Sequence, residues 1–126
     1  MIMSLNNEMF KGNSSGVLIL ENEFDVVTMQ NIAIENNLSE IAFVMKHEDY
    51  YSLRWFIPKK EVDLCGHATL ASAFVITNFI DTNIDEIRFE TKSGTLIVNK
   101  KDNLYVLNFP SRKLNKTEIT KLVLFA

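Results

Sequence analysis

Residues 68–80 read Ala68-Thr69-Leu70-Ala71-Ser72-Ala73-Phe74-Val75-Ile76-Thr77-Asn78-Phe79-Ile80, and this stretch decides the fold. It reads as a helix whose apolar residues leave no clear polar face. A helix apolar nearly all round is buried nearly all round. In a chain of 126 residues, strands must supply that burial. The expected class is therefore α+β: a mixed, mostly antiparallel curved sheet wrapped around one central apolar helix. Thr69, Ser72 and Thr77 fit such a helix, because a hydroxyl can bond a carbonyl one turn back and need not reach water.

The residues entering this helix are Asp63-Leu64-Cys65-Gly66-His67-Ala68-Thr69. Before them Tyr51-Ser52-Leu53-Arg54-Trp55-Phe56 has the aromatic and branched character of a strand. A cysteine, a glycine and a histidine thus meet at a helix N-terminus. Unpaired N–H groups and the positive end of the helix dipole suit a carboxylate or phosphate ligand there. Gly66 allows close approach to the backbone.

Outward from this centre the chain alternates short elements. Residues 1–13 look irregular, with Gly12-Asn13-Ser14 as turn material. Gly16 to Leu20 reads as a buried strand. Asp25 can cap a helix running to about Asn36, with Val26, Met29, Ala33 and Ile34 as its apolar face. Asn36-Asn37 suits its end, since asparagine tolerates the left-handed conformation. Ile41 to Met45 and Tyr50 to Phe56 form a hairpin across His47-Glu48-Asp49, and Pro58 ends or bends its second strand. Glu86–Thr91, Thr95–Asn99 and Leu104–Phe109 read as strands, the last two as an antiparallel meander. The tail ends Leu122-Val123-Leu124-Phe125-Ala126, an apolar run that calls for a covering partner or a missing segment.

Composition narrows the function classes. The formal charge of −3 offers no basic stripe for nucleic acid. No stretch is long and apolar enough to span a bilayer, and no secretory signal opens the chain. One cysteine excludes an internal disulfide and fits a reducing cytoplasm. Two histidines and a cysteine without ligand spacing argue against a metal site. The absence of a glycine-rich phosphate loop or dinucleotide fingerprint argues against a nucleotide cofactor.

Three side chains can carry chemistry. Glu40 precedes a buried strand. Partial desolvation would raise its pKa toward neutrality and suit it to take and return a proton; the alternative is a solvated loop-end residue. His67 can orient a substrate or hand on a proton, or simply bond a backbone carbonyl. Cys65 is either a thiolate favoured by the helix N-terminus or a small buried residue. Asp63 can cap the turn, and His47 reads as a solvated turn residue.

Asn37-Leu38-Ser39-Glu40-Ile41-Ala42-Phe43-Val44, Leu53-Arg54-Trp55-Phe56-Ile57-Pro58 and Glu61 through Ala71 (EVDLCGHATLA) resemble the PhzF family of phenazine-biosynthesis-like isomerases. Phe10-Lys11-Gly12-Asn13 is similar to that family's early glycine–asparagine turn. The resemblance spans roughly residues 10 to 110. It implies one half of the diaminopimelate epimerase-like fold, in which two similar domains each wrap a sheet around a central helix.

The resemblance further implies a cofactor-free enzyme moving a proton on a small carboxylate substrate held between the domains. The phenazine enzyme isomerises a dihydro-hydroxyanthranilate. On this likeness the catalytic glutamate is Glu40 and the pocket histidine is His67. Asn13, Ser39, Cys65, Gly66 and Ala68 become substrate-binding positions. Ile41 stands where the family commonly has threonine, and Ser14 where it has proline. The opening strand looks poor, because residues 1–9 lack aromatic alternation. The expected organisation is a single domain over 1–126, resembling the N-terminal half of a two-domain protein. The likeness leaves the second half to a homodimer partner or a separately encoded domain. A non-catalytic binding module and a truncated or split gene product are the competing readings.

Overall fold

The computed structural model describes residues 2–5, 15–36, 39–63, 65–102, 104–108 and 121–125. Among the described residues, nine strands and two α-helices follow one another. They are β1 (Ile2–Leu5), β2 (Ser15–Leu20), α1 (Val26–Asn36), β3 (Glu40–Lys46), β4 (Tyr51–Ile57), β5 (Lys60–Val62), α2 (Gly66–Val75), β6 (Glu86–Thr91), β7 (Gly94–Lys101), β8 (Leu104–Asn108) and β9 (Lys121–Phe125). The strands form one sheet in the order β1-β2-β3-β4-β6-β7-β8-β9, with β5 attached to β4. β2–β3 and β4–β6 run parallel; the other neighbours are antiparallel. The class is α+β, with a mixed, mostly antiparallel open sheet.

The period of two along each strand divides the interior into two cores. On one face Val17, Ala42, Val44, Leu53, Trp55, Ile87, Phe89, Leu96, Val98, Tyr105 and Leu107 pack in one cluster with Ala68, Leu70, Ala71, Ala73 and Val75 of α2. On the other, Leu18, Ile41, Phe43 and Phe56 meet Met29 and Ala33 of α1. β3 is therefore buried on both faces. Seven of the ten residues of α2 are buried, and each fully buried leucine-sized side chain contributes about 1.5–3 kcal/mol.

The hydroxyls of α2 behave as expected. Thr69, Ser72 and Thr77 donate to the carbonyls of Cys65 (2.8 Å), Ala68 (2.7 Å) and Ala73 (3.0 Å). The expected single helix through Ile80 instead widens into a π-helical turn over Ile76–Ile80, closed by the Asp81 N–H on the Ile76 carbonyl at 2.7 Å. Thr77 Oγ1 and Asn78 Nδ2 both donate to the Phe74 carbonyl. Side chains that occupy carbonyls of the preceding turn favour this widening. Burial all round also stops here, with Phe79 56% exposed.

Local chemistry accounts for the other boundaries. Asp25 caps α1 by accepting from the Thr28 N–H at 2.8 Å. The apolar face expected for α1 is narrower than the sequence suggested, since Met29 and Ala33 are buried while Val26 and Ile34 are exposed. Ile34 lies about 140° around the helix from Met29, and Val26 sits in the first turn. The β3–β4 hairpin closes through the His47 N–H on the Tyr50 carbonyl (2.8 Å). Gly94, at φ 107°, allows the tight β6–β7 turn, a conformation costly for a residue with a Cβ.

A strand lies within the opening residues read as irregular, and another within the apolar tail. β1 pairs antiparallel with β2, from Ile2 opposite Leu18 to Leu5 opposite Ser15. This corrects the expectation of a poor opening strand. β9 pairs Lys121–Phe125 with β8, so the apolar tail extends the sheet. β5, which carries no apolar alternation, is held by pairing Trp55 with Val62 and Ile57 with Lys60.

Candidate active site

The site is set by which face of β3 each residue takes. Ala42 and Val44 pack into the α2 core, whereas Ile41 and Phe43 pack toward α1. Glu40, two residues before Ala42, takes the α2 face at the start of β3. Glu40 is half-buried, and it lies near enough to Cys65 for its charge to help raise the thiol pKa.

Cys65 is the N-cap of α2, in extended conformation at φ −142°, ψ 103°. Burial pushes its thiol pKa up to about 11, the Ala68 N–H opposes this, the Glu40 charge and hydrogen bond add to it, and the His67 N–H opposes it more weakly. Of the two readings of Cys65, the small buried residue fits this environment: two N–H groups do not outweigh removal from water beside a carboxylate.

No side chain caps α2 with a regular hydrogen bond. The N–H groups of His67 and Ala68, the usual targets of a capping oxygen, instead act on the Cys65 thiol, where they favour the charged form. Sulfur is a weak acceptor, and a carboxylate competes well for donors so held. Asp63, the other candidate cap, is exposed, and its carbonyl accepts from Ser93 Oγ at 2.6 Å. This bond ties the approach to α2 to the β6–β7 turn.

The remaining sequence candidates are placed as follows. His67 is exposed as the second residue of α2, Gly66 is half-buried and Ala68 is buried. Ser39 is exposed in the bend before β3. Asn13 lies outside the described residues. The fold thus brings Glu40 and Cys65 together beside the first turn of α2. Among the described residues, no group of three or more histidine, cysteine, aspartate or glutamate side chains is clustered to hold a metal ion. Among the same residues, no helix is long and apolar enough to cross a membrane.

Two features near this turn escaped the sequence reading. Trp55 Nε1 donates to Thr69 Oγ1 at 3.0 Å, and that hydroxyl donates onward to the Cys65 carbonyl. Arg54 clasps Glu61 through two bonds of 2.8 Å, and Lys92 adds a third contact at 3.1 Å. The Arg54 guanidinium, with help from Lys92, holds the Glu61 carboxyl below its ordinary range. The charges of Arg54 on β4 and Glu61 on the neighbouring β5 carried that signal. His47 is half-buried rather than solvated, stacked on Tyr50 at 4.5 Å with Nε2 3.2 Å from Ser52 Oγ. A half-open pocket of about 190 Å³ between α1 and β3, reached by Met29, Phe43 and Arg54, includes none of the candidate residues.

Residues 4–125 match the family model described as phenazine biosynthesis-like protein, PhzC-PhzF. An uncharacterized isomerase of Halalkalibacterium halodurans is 46% identical over 111 residues, covering 87% of this chain and 42% of that protein. The crystal structure of a PhzC/PhzF protein from Clostridium difficile is 53% identical with a TM-score of 0.77, over 86% of this chain and 42% of the other. A PhzF-family structure from Enterococcus faecalis is 50% identical at the same TM-score and the same two coverages. The chain therefore spans about 42% of the length of these relatives. With a family model matched along almost its full length, the chain belongs to the PhzC-PhzF family of phenazine biosynthesis-like proteins.

Proposed function

We propose that this chain forms the N-terminal half of a PhzF-like isomerase, with its sheet wrapped around α2 as one half of an epimerase-like fold. Its task is proton transfer on a small carboxylate substrate without a cofactor. The placement of Glu40 at the start of β3, near enough to Cys65 at the head of α2 to act on its thiol, supports this reading. It brings a carboxylate base to the one helix end where donors face a weak acceptor. The N–H groups of Gly66, His67 and Ala68 take the substrate carboxylate, Glu40 exchanges a carbon-bound proton, and the exposed His67 side chain orients the ring or hands on the proton. Ser39 and Asn13 belong to the same rim.

A second domain, or a second copy of this chain, closes the site. The shared coverage of 42% among the relatives supports this division. Positioned acid–base catalysis contributes about 10²–10⁴ in rate, and a site left open to water cannot hold it. The isolated chain is therefore expected to bind better than it turns over.

The test has two parts. In the protein that carries both halves, turnover of a dihydro-hydroxyanthranilate in D₂O is followed by NMR. Glu40→Gln is expected to lower it by about 10² or more; undiminished turnover removes Glu40 from the mechanism. For the isolated chain, titration with anthranilate is expected to move the amide signals of Gly66, His67 and Ala68 together. Shifts confined to other residues overturn the placement of the carboxylate.

A further inference from the structure

The residues linking β4 to the head of α2 have no part in the proton transfer described above, yet they are the most deeply buried polar link in the region. Trp55 is 1% exposed and Thr69 is 0% exposed. The indole N–H reaches Thr69 Oγ1 at 3.0 Å, and Thr69 Oγ1 reaches the Cys65 carbonyl at 2.8 Å. The Thr69 N–H meets the same carbonyl at 3.1 Å. The N-cap carbonyl is therefore held twice by one residue, and that residue is held by β4.

Trp55 also sits opposite Ala42 of β3 and Val62 of β5. It thus touches the strand that begins with Glu40 and the strand that leads into Cys65. Two influences converge on Cys65: the indole–hydroxyl chain holds its carbonyl, and the Glu40 charge acts on its thiol. A small tilt of α2 against β4 would change the second, and the first opposes that tilt with directional bonds.

We propose that Trp55 and Thr69 are positioning residues that fix Glu40 against the head of α2. The assignment rests on the acid–base reading of Glu40. A relay that only filled the core would tolerate any side chain of matching shape. A relay that sets alignment needs the hydroxyl itself. Thr69→Val preserves shape and removes both bonds; Thr69→Ser restores them. Trp55→Phe removes the indole donor yet leaves the threonine bonded to Cys65.

Trp55 and Cys65 are the sole tryptophan and cysteine, so both ends of the relay are observed without ambiguity. The indole ¹⁵N–¹H signal reports the bond to Thr69. The pH profile of Cys65 alkylation reports the contact with Glu40. Thr69→Val is expected to move the indole signal and to change the fraction of reactive thiolate near pH 10 by about threefold or more. Thr69→Ser is expected to restore both. Trp55→Phe, which leaves no buried donor unpaired and so keeps the fold, is expected to move the alkylation profile in the same sense as Thr69→Val.

A folded Thr69→Val or Trp55→Phe with an unchanged alkylation profile overturns the positioning role. Glu40→Gln separates the two claims. If it leaves the Cys65 profile unchanged, the Glu40 contact itself is absent and the acid–base reading falls. If it moves the profile while the relay variants do not, only the positioning assignment fails. In the two-domain protein the relay variants are expected to lower kcat about tenfold with KM nearly unchanged. Lower thermal stability with intact kcat would mark a purely structural role and overturn the proposal.

Discussion

The state of Cys65 decides between two kinds of chemistry, and it is measurable without a substrate. Burial is the largest influence, and it pushes the thiol from an ordinary 9.0 up to about 11. A difference of two pH units is about a hundredfold in thiolate fraction at any pH well below both values, or about 2.7 kcal/mol. The folded state thus binds this proton more tightly than the unfolded chain does. That contribution to stability is fully present below the ordinary thiol value of 9.0, and it is lost as pH rises toward 11. The assay is the rate of iodoacetamide alkylation between about pH 7 and 10.5, followed by mass spectrometry on native and urea-unfolded chain. The unfolded chain is expected to level off above about pH 9.5, whereas the native rate still climbs about tenfold per pH unit. Restricted access lowers the native rate by the same factor at every pH, so the shape of the profile carries the answer. Glu40→Gln removes the neighbouring charge and should bring the native profile down in pH, though not to the unfolded one, because burial remains. A native profile that levels off at or below the unfolded one would refute the reasoning and return Cys65 to the role of a reactive thiolate.

Two further outcomes test the fold around the site. Leu70, 2% exposed in α2, is expected to cost about 2–5 kcal/mol when changed to alanine, measured by urea unfolding. Alanine is the better helix former, so a loss much smaller than this would mean that α2 is not packed as described. Glu61, whose carboxyl is held low first by Arg54, contributes stability above the unfolded carboxyl value of about 4.3. That contribution disappears as pH falls through the lower folded value. Glu61→Gln is therefore expected to be less stable near neutral pH and to lose less on acidification; an acid limb identical to the wild type would contradict the fork.

The elements legible from the sequence are those whose partners are near or whose pattern is strong. The Asp25 cap, the β3–β4 hairpin and the back-bonded hydroxyls of α2 each follow from a few adjacent residues. β1 and β5 were not legible because neighbours distant in sequence make them strands: Ile2 opposite Leu18, and Val62 opposite Trp55. The π-helical turn was missed because Thr77 and Asn78 look like ordinary helix residues until Tyr105, 28 and 27 positions away, binds both side chains. At the site, the identities of Glu40, Cys65 and His67 came from the motif. The sign of the Cys65 shift did not, since a dipole argument sees the helix end and not the burial or the carboxylate across from it.

The choice of cysteine at the N-cap makes physical sense of the site. Serine, threonine or aspartate there would stabilise α2 by about 0.5–2 kcal/mol over a residue that cannot cap. Each would also occupy the His67 and Ala68 N–H groups with a strong acceptor, and aspartate would set a second negative charge against Glu40. A buried thiol does neither. Its raised pKa keeps it protonated beside the Glu40 charge, and it leaves the two N–H groups to an acceptor too weak to exclude an incoming carboxylate. The helix is thus less firmly capped than its sequence context would allow, at the one position where a firmer cap would fill the proposed anion site. Trp55 and Thr69 answer that weakness from below. They hold the N-cap through its carbonyl, which no ligand needs, and leave its sulfur side and its N–H groups for the chemistry.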